Sequence, residues 1–204
     1  SSTFVVKFQQ YDNYGATLDG FAFDEISVTE GGGGGGGAPG HANLPYSTGF
    51  DSGSLDSAWQ VIEGVEGRIQ VTTANGPQAG SHHLTMDDSV NGGAFSQNEA
   101  WLKLNLSGTS QATLSFRWKH FSDETHSQDG VYFSSNGGTT FTKVHNLNGG
   151  STPGNTWQTV TLDIDQLAAG AGVALTGSFV VKFQQYDNWG IGSDGFAIDT
   201  VTVN

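Results

Sequence analysis

Residues 120–130, HFSDETHSQDG, hold the densest set of side chains able to do chemistry: Asp123, Glu124 and Asp129 offer carboxylate oxygens, and His120 and His126 offer ring nitrogens. A second loop, residues 186–195, reads YDNWGIGSDG and places Asp187 and Asp194 among glycines. Hard divalent cations take several oxygen ligands at short range, which loops of this composition supply. Calcium is the cofactor they suggest, with Asp123, Asp129 and Asp194 as candidate ligands. Zinc wants a compact set rich in nitrogen or sulfur, and His120 with His126 alone does not make one. Neither loop has the spacing of an EF-hand or of a calcium-binding nonapeptide repeat, and Asp-Gly steps are also ordinary turn chemistry. His82 and His83 are adjacent, so on a strand they point to opposite faces and cannot together chelate one ion. Asp87 and Asp88 read as solvated turn acids, with a place in a calcium site as the alternative.

Aromatic rings offer a second kind of chemistry. Trp189 and Tyr186 flank Asp187 in the second loop, and Trp101 and Tyr132 fall on the polar phase of their strands. Sugar rings stack on exposed aromatic faces while Asp, Asn and Gln bind their hydroxyls. Trp189, Tyr186 and Asp187 are therefore the candidate ligand-binding residues, and Trp118 and Trp157 are read as core. Catalysis finds little support. The chain has no HExxH, no GxSxG and no cysteine, so the metallopeptidase, serine-elbow and thiol chemistries lack their motifs. The pair Asp163 and Asp165 would serve a glycosidase only across a cleft with one pKa raised, and the expectation is a protein that is not an enzyme.

Composition narrows the partners. Twenty acids against seven Lys and Arg leave a formal charge of −13, which argues against nucleic acid and anionic membranes. Without cysteine there are no disulfides, and stability must come from a core and from bound ions. No stretch is long or apolar enough to span a bilayer.

The elements that position these loops are strands. Leu102, Leu104 and Leu106 alternate with Lys103 and Asn105; Leu114, Phe116 and Trp118 alternate with Ser115 and Arg117; Val160, Leu162 and Ile164 alternate with Thr161 and Asp163. Period-2 patterning of this kind marks half-buried strands, and 31 glycines suit many short turns. Only residues 165–171 could form a helical turn. The expected fold is all-β, a two-sheet antiparallel β-sandwich.

The sequence FVVKFQQYDN occurs twice, at residues 4–13 and 179–188, and the match resumes at DGFA and at Asp24 and Asp199. Such recurrence marks tandem repetition. Residues 1–30 then read as the C-terminal strand pair of a preceding repeat, residues 31–45 as a linker whose positions 31–37 are all glycine, and residues 46–204 as one complete module. In both copies the apolar phase flips, from Phe196 and Ile198 to Val201 and Val203 and from Phe21 and Phe23 to Ile26 and Val28. A β-bulge at Asp199 would produce this, because one extra residue reverses the facing of all that follow. Asp199 is then either a metal ligand or a hydrogen-bonded structural acid.

A chain opening with GFD at 49–51, with LSFRWKHFS at 114–122, GNTWQTVTLDI at 154–164 and a closing FVVKFQQ…DGFAIDTVTV, resembles a MAM-type jelly roll within the concanavalin-A-like sandwiches. The resemblance covers residues 46–204 and rests on strand order and on Trp157 and Asp199. It implies an extracellular adhesion or ligand-binding module of a bacterial surface protein, and a structural calcium held by Asp51 and Asp199. The leading expectation is a repeat unit of a surface adhesin or fibre. Its partners would be neighbouring copies of the same module, joined into a homopolymer by strand addition through residues 1–30. The alternative is a carbohydrate-binding module of a secreted polysaccharide-degrading enzyme, with a glycan as partner.

Overall fold

The computed structural model describes residues 40–204, so the expected donor segment 1–30 and residues 31–39 of the linker lie outside the described residues. From residue 46 the chain runs β1 (Tyr46–Thr48), β2 (Trp59–Ile62), β3 (Gly67–Thr72), β4 (His83–Asp88), β5 (Ser96–Leu104), β6 (Thr113–His120), β7 (Gly130–Ser134), β8 (Thr142–Asn146), β9 (Gln158–Asp163), α1 (Ile164–Ala171), β10 (Phe179–Asp187) and β11 (Phe196–Val203). The strands form two antiparallel sheets. One is five-stranded in the order β2-β5-β10-β7-β8; the other is six-stranded, β3-β4-β11-β6-β9 with β1 also on β11. The all-β, two-sheet antiparallel sandwich read from the period-2 pattern is the fold observed, and it is of the jelly-roll kind that the resemblance implies.

Alternation builds the core. On β10, Phe179, Val181 and Phe183 point inward, and on β6 Leu114, Phe116 and Trp118 do so from the opposite sheet. Phe116 and Phe183 meet edge to face at 5.0 Å across the sandwich, and Trp59 stacks on Phe183 at 6.0 Å. Removing each such ring from water contributes about 1.5–3 kcal/mol. The helix expected near residues 165–171 is α1, capped by Asp163 accepting Gln166 N–H at its start and ended by Gly172 in the left-handed conformation.

The strand pair repeated in the sequence is not a hairpin. β10 is the middle strand of the five-stranded sheet, and β11 lies inside the other sheet. The loop between them therefore turns a corner from one sheet to the other, and both strands are already paired on each side. Period-2 patterning fixes which face of a strand is buried but carries no information about which sheet it joins.

The bulge read from the phase flip is present. The register of β11 against β6 shifts between Asp199 and Thr202, and Thr200 has a positive φ of 49°. Phe196 and Ile198 before it and Val201 and Val203 after it are all fully buried. The bulge falls where the other edge of β11 changes partner, from β4 at Phe196–Ile198 to β1 at Val201–Val203. Residues 40–45 are not free chain: Ala42 bridges Leu104, donates to Lys103 O at 3.0 Å and accepts Asn105 N–H at 2.8 Å.

Candidate functional site

Toward one end of the sandwich the inward phase turns from apolar to polar. Beyond Phe183 the same face of β10 carries Gln185 and Asp187, opposite Asn98 and Ser96 on β5, all buried. Asn98 Nδ2 donates to Gln185 Oε1 and to Asp87 O, both at 2.9 Å, and Gln185 Nε2 donates to Asp187 Oδ2 at 2.9 Å. Two loops close over this polar floor: residues 121–129, between β6 and β7, and residues 188–195, between β10 and β11.

These loops bring Asp123 and Asp194 onto Asp187. Ligating oxygens of the three carboxylates lie within 4.8 Å of one another, and the residues are 2 %, 3 % and 0 % exposed respectively. Asp187 Oδ1 also accepts the N–H groups of Asn188 and Trp189, and Asp194 Oδ1 accepts that of Gly195. With the three acids ionised, neither oxygen of Asp123 has a hydrogen-bond partner; a bond to Asp194 forms only when one of the two carries a proton. Burial, and then the charges of Asp129 and Asp194, push the Asp123 carboxyl far above the usual range; burial and Asp194 raise Asp187 as well. Asp129 sits beside the three but turns away. Its oxygens accept Tyr186 N–H at 2.8 Å and His126 N–H at 3.0 Å, and burial raises it to about 6. Asp129 thus latches the 121–129 loop to β10, while Asp187, read from sequence as a contact for ligand, is the third carboxylate of the cluster.

Asp51 and Asp199 lie elsewhere, beside the bulge. Asp199 is fully buried, its Oδ2 accepting Gln78 N–H at 2.8 Å and Ala79 N–H at 3.1 Å, its Oδ1 accepting Thr200 N–H at 2.6 Å. Exposed Asp51 accepts Ser81 N–H at 2.6 Å and His82 N–H at 3.2 Å, and these bonds hold its carboxyl below the usual range. A Cβ on Gly49 would meet Asp51 Oδ2 at 3.4 Å and Asp199 Oδ1 at 4.0 Å, so the two carboxylates converge on that glycine. In this arrangement their oxygens pin residues 78–82, the approach to β4, across the gap between β1 and β4. Asp199 accepts N–H donors on both oxygens, so unlike Asp123 neither of them is orphaned. Asp87 and Asp88 are buried rather than solvated: Asp87 pairs with Arg68 and accepts Ile191 N–H, and Asp88 accepts Val90 N–H and the Ser96 hydroxyl.

The outward face of the five-stranded sheet carries a second array. Lys182 Nζ contacts Glu99 Oε1 at 3.0 Å and Gln184 Oε1 at 2.6 Å. Gln97 Nε2 and Trp101 Nε1 each donate to Glu99 at 2.7 Å, and Gln184 Nε2 reaches Gln128 O and the Tyr132 hydroxyl. The Lys182 ammonium lies 4.4 Å from the ring centres of both Tyr132 and Phe141, and Phe141 packs edge-on to Trp101 at 4.8 Å. Gly138 has a φ of +90°, and a Cβ there would sit 2.2 Å from the Trp101 ring, so glycine is required. Six residues from Trp101 and just before β5 begins, roughly 20 Å away at strand spacing, Phe95 stacks on Tyr186 at 5.0 Å and 6°, with His126 edge-on to both. Aromatic rings thus stand at both ends of a strip of amide and charged groups. Trp189 is 42 % exposed in its loop, against Gly92.

The polar phase of strands pointed to Trp101 and Tyr132 and the second loop to Tyr186, and all three belong to this face. Glu99, Lys182, Gln97 and Gln184 were missed, although Lys182 interrupting an apolar run of β10 was a legible signal. Phe95 and Phe141 stand at strand ends, where the pattern is silent. Trp118 is core as expected; Trp157 is half-buried under the Lys119 ammonium at 4.6 Å.

No protein-family model matches the sequence, and no curated protein matches it. Solved structures share its fold. The K2 cleaved adhesin domain of Lys-gingipain is 17 % identical at a TM-score of 0.53, covering 79 % of this chain and 99 % of that one. The K1 cleaved adhesin domain of Lys-gingipain from Porphyromonas gingivalis is 18 % identical at 0.52, with 79 % and 98 % covered. The carbohydrate-binding module TmCBM61, solved with β-1,4-galactotriose, is 16 % identical at 0.50, with 76 % and 93 % covered. At these identities the likeness is one of fold. It supports a jelly roll and does not single out the MAM type.

Proposed function

We propose that this chain is a non-catalytic extracellular module that binds glycan along the outward face of its five-stranded sheet. The observation that carries the reading is the strip between Trp101–Phe141 and Phe95–Tyr186. Exposed Gln97 offers an amide that both donates and accepts, exposed Phe95 and the half-buried Tyr186, Trp101 and Phe141 offer ring surface at either end, and the buried Glu99, Lys182 and Gln184 hold one another in place between them. A glycan demands both kinds of polar partner and an apolar surface for its C–H faces. The likeness of fold to a module solved with β-1,4-galactotriose supports this reading. Titration calorimetry with a panel of β-linked oligosaccharides, β-1,4-galactotriose included, tests it. Tyr186→Ala should weaken binding about tenfold or more, with Trp189→Ala measuring the loop ring separately. Absence of binding by the wild type at millimolar sugar, or an unchanged affinity in Tyr186→Ala, refutes the site.

A second reading is favoured by the repeat itself: residues 4–13 copy the sequence of the central strand β10 without change. In it the module is one unit of a surface adhesin or fibre, and residues 1–30 supply strands to a neighbouring copy. The likeness to gingipain adhesin domains supports the adhesin half of this reading. Because β10 and β11 are both interior strands, the copied segment would have to replace a neighbour's own strands rather than extend an edge. Calcium at Asp51 and Asp199, as the resemblance implies, would take Asp51 Oδ2, since the N–H bonds of that acid fall on Oδ1, and would share the Asp199 oxygens with their N–H donors.

A further inference from the structure

We infer that Asp123, Asp187 and Asp194 form a divalent-cation site, selective for calcium, that joins the 121–129 and 188–195 loops to the end of β10. The site is separate from Asp51 and Asp199 and does not depend on the glycan reading. Two ligands of one calcium ion at roughly 2.3–2.6 Å lie at most about 5 Å apart, and the three carboxylate oxygens lie within 4.8 Å of one another. The unpartnered, buried Asp123 carboxylate is a second and independent sign. A buried anion without a hydrogen bond or counter-charge is costly, and Asp123 has neither. The ion pairs among the described residues are Arg68–Asp87, Lys182–Glu99 and His126–Glu124, and none reaches the three acids.

Oxygen-only donors exclude the nitrogen- or sulfur-rich environment zinc prefers. Donors drawn from two loops and a strand end suit calcium, which accepts irregular geometry, better than magnesium, which demands a near-octahedral cage. The location gives the ion a structural effect. Asp187 already orients Asn188 and Trp189 through its Oδ1, and the Asp123 backbone carbonyl packs against Gly149, where a Cβ would stand 2.1 Å from that oxygen. Holding Asp123 on Asp187 therefore ties three chain segments together beneath the Trp189 loop.

The test titrates calcium chloride into chelator-stripped protein, reading the ions bound per chain and the melting midpoint. At about a hundredfold excess over Kd the midpoint should rise by roughly 5–10 °C, and magnesium should do less at the same concentration. Asp123→Asn keeps the shape and removes the charge. It should bind one calcium fewer and lose the rise, while its ion-free midpoint equals or exceeds that of the wild type. Amide resonances of the wild type should shift on calcium addition within 121–129 and 187–195, a readout that needs no variant to fold. Asp194→Asn serves as the second variant. A rise that survives in Asp123→Asn and disappears in Asp51→Asn would assign the ion to the Asp51–Asp199 pair and overturn the inference. So would the absence of any calcium-dependent rise or shift, which would leave three acids neutralised by protons alone.

Discussion

Replacing Asp199 by alanine tests the account of the bulge. The substitution removes the acceptor for Gln78 N–H at 2.8 Å, Ala79 N–H at 3.1 Å and Thr200 N–H at 2.6 Å, at a residue with no exposed surface. A hydrogen bond to a charged group contributes about 1.5–3 kcal/mol, and a buried donor left unmade costs about 1–3 kcal/mol. Some of these donors will reach water once residues 78–82 come loose, so the expected loss is about 3–5 kcal/mol. For a domain of this size that lowers the melting midpoint by roughly 10 °C. Circular dichroism melts should be run with chelator present, because the latch acts through N–H groups and needs no ion. Asp199→Asn, which keeps one acceptor oxygen but turns an amide N–H toward backbone donors, should fall between wild type and alanine. Asp51→Ala, at an exposed acid, should cost less than either. A loss under about 1 kcal/mol in chelator, or one that appears only when calcium is present, would refute the latch and favour a metal ligand.

Two further outcomes follow from the geometry. Removing residues 1–39 while keeping 40–45, whose Ala42 pairs with Leu104 and Asn105, should leave a folded monomer. If light scattering finds polymers of the full chain and the shortened chain still forms them, strand exchange through 1–30 is wrong. His83 is buried against Trp157 at 5.6 Å, and burial, then the Lys119 charge, lower its pKa. The unfolded chain therefore takes up the proton first, so stability falls as the pH drops through about 6.5. His83→Asn should flatten that part of the pH–stability curve measured by urea unfolding, and an unchanged slope would clear His83 of the effect.

Much of the fold was legible because strand patterning is a local property. The runs around Leu102, Phe116 and Leu162 alternate with period 2, and each became a strand with its apolar phase inward. The bulge was legible for the same reason: one extra residue leaves its trace as a phase flip, and Asp199 is found at the register shift. Sheet membership was not legible, since β10 and β11 are neighbours in sequence and members of opposite sheets. Nor did composition distinguish Asp129, which spends its oxygens on N–H groups, from Asp123, which has none to spend them on.

The sequence by itself determined an acidic, cysteine-free β-sandwich, the faces of its strands, the site of its bulge and the loops in which its acids are concentrated. Those properties depend on residue type and on spacing along the chain. Only the tertiary structure decided which acids meet, that Asp187 rather than Asp129 completes the cluster, and that Glu99 and Lys182 pair beneath a roof of aromatic rings. Each of these depends on the distance between strands and loops far apart in sequence. Packing the two sheets and turning the β10–β11 corner set those distances, and neither is encoded in the alternation of any single strand.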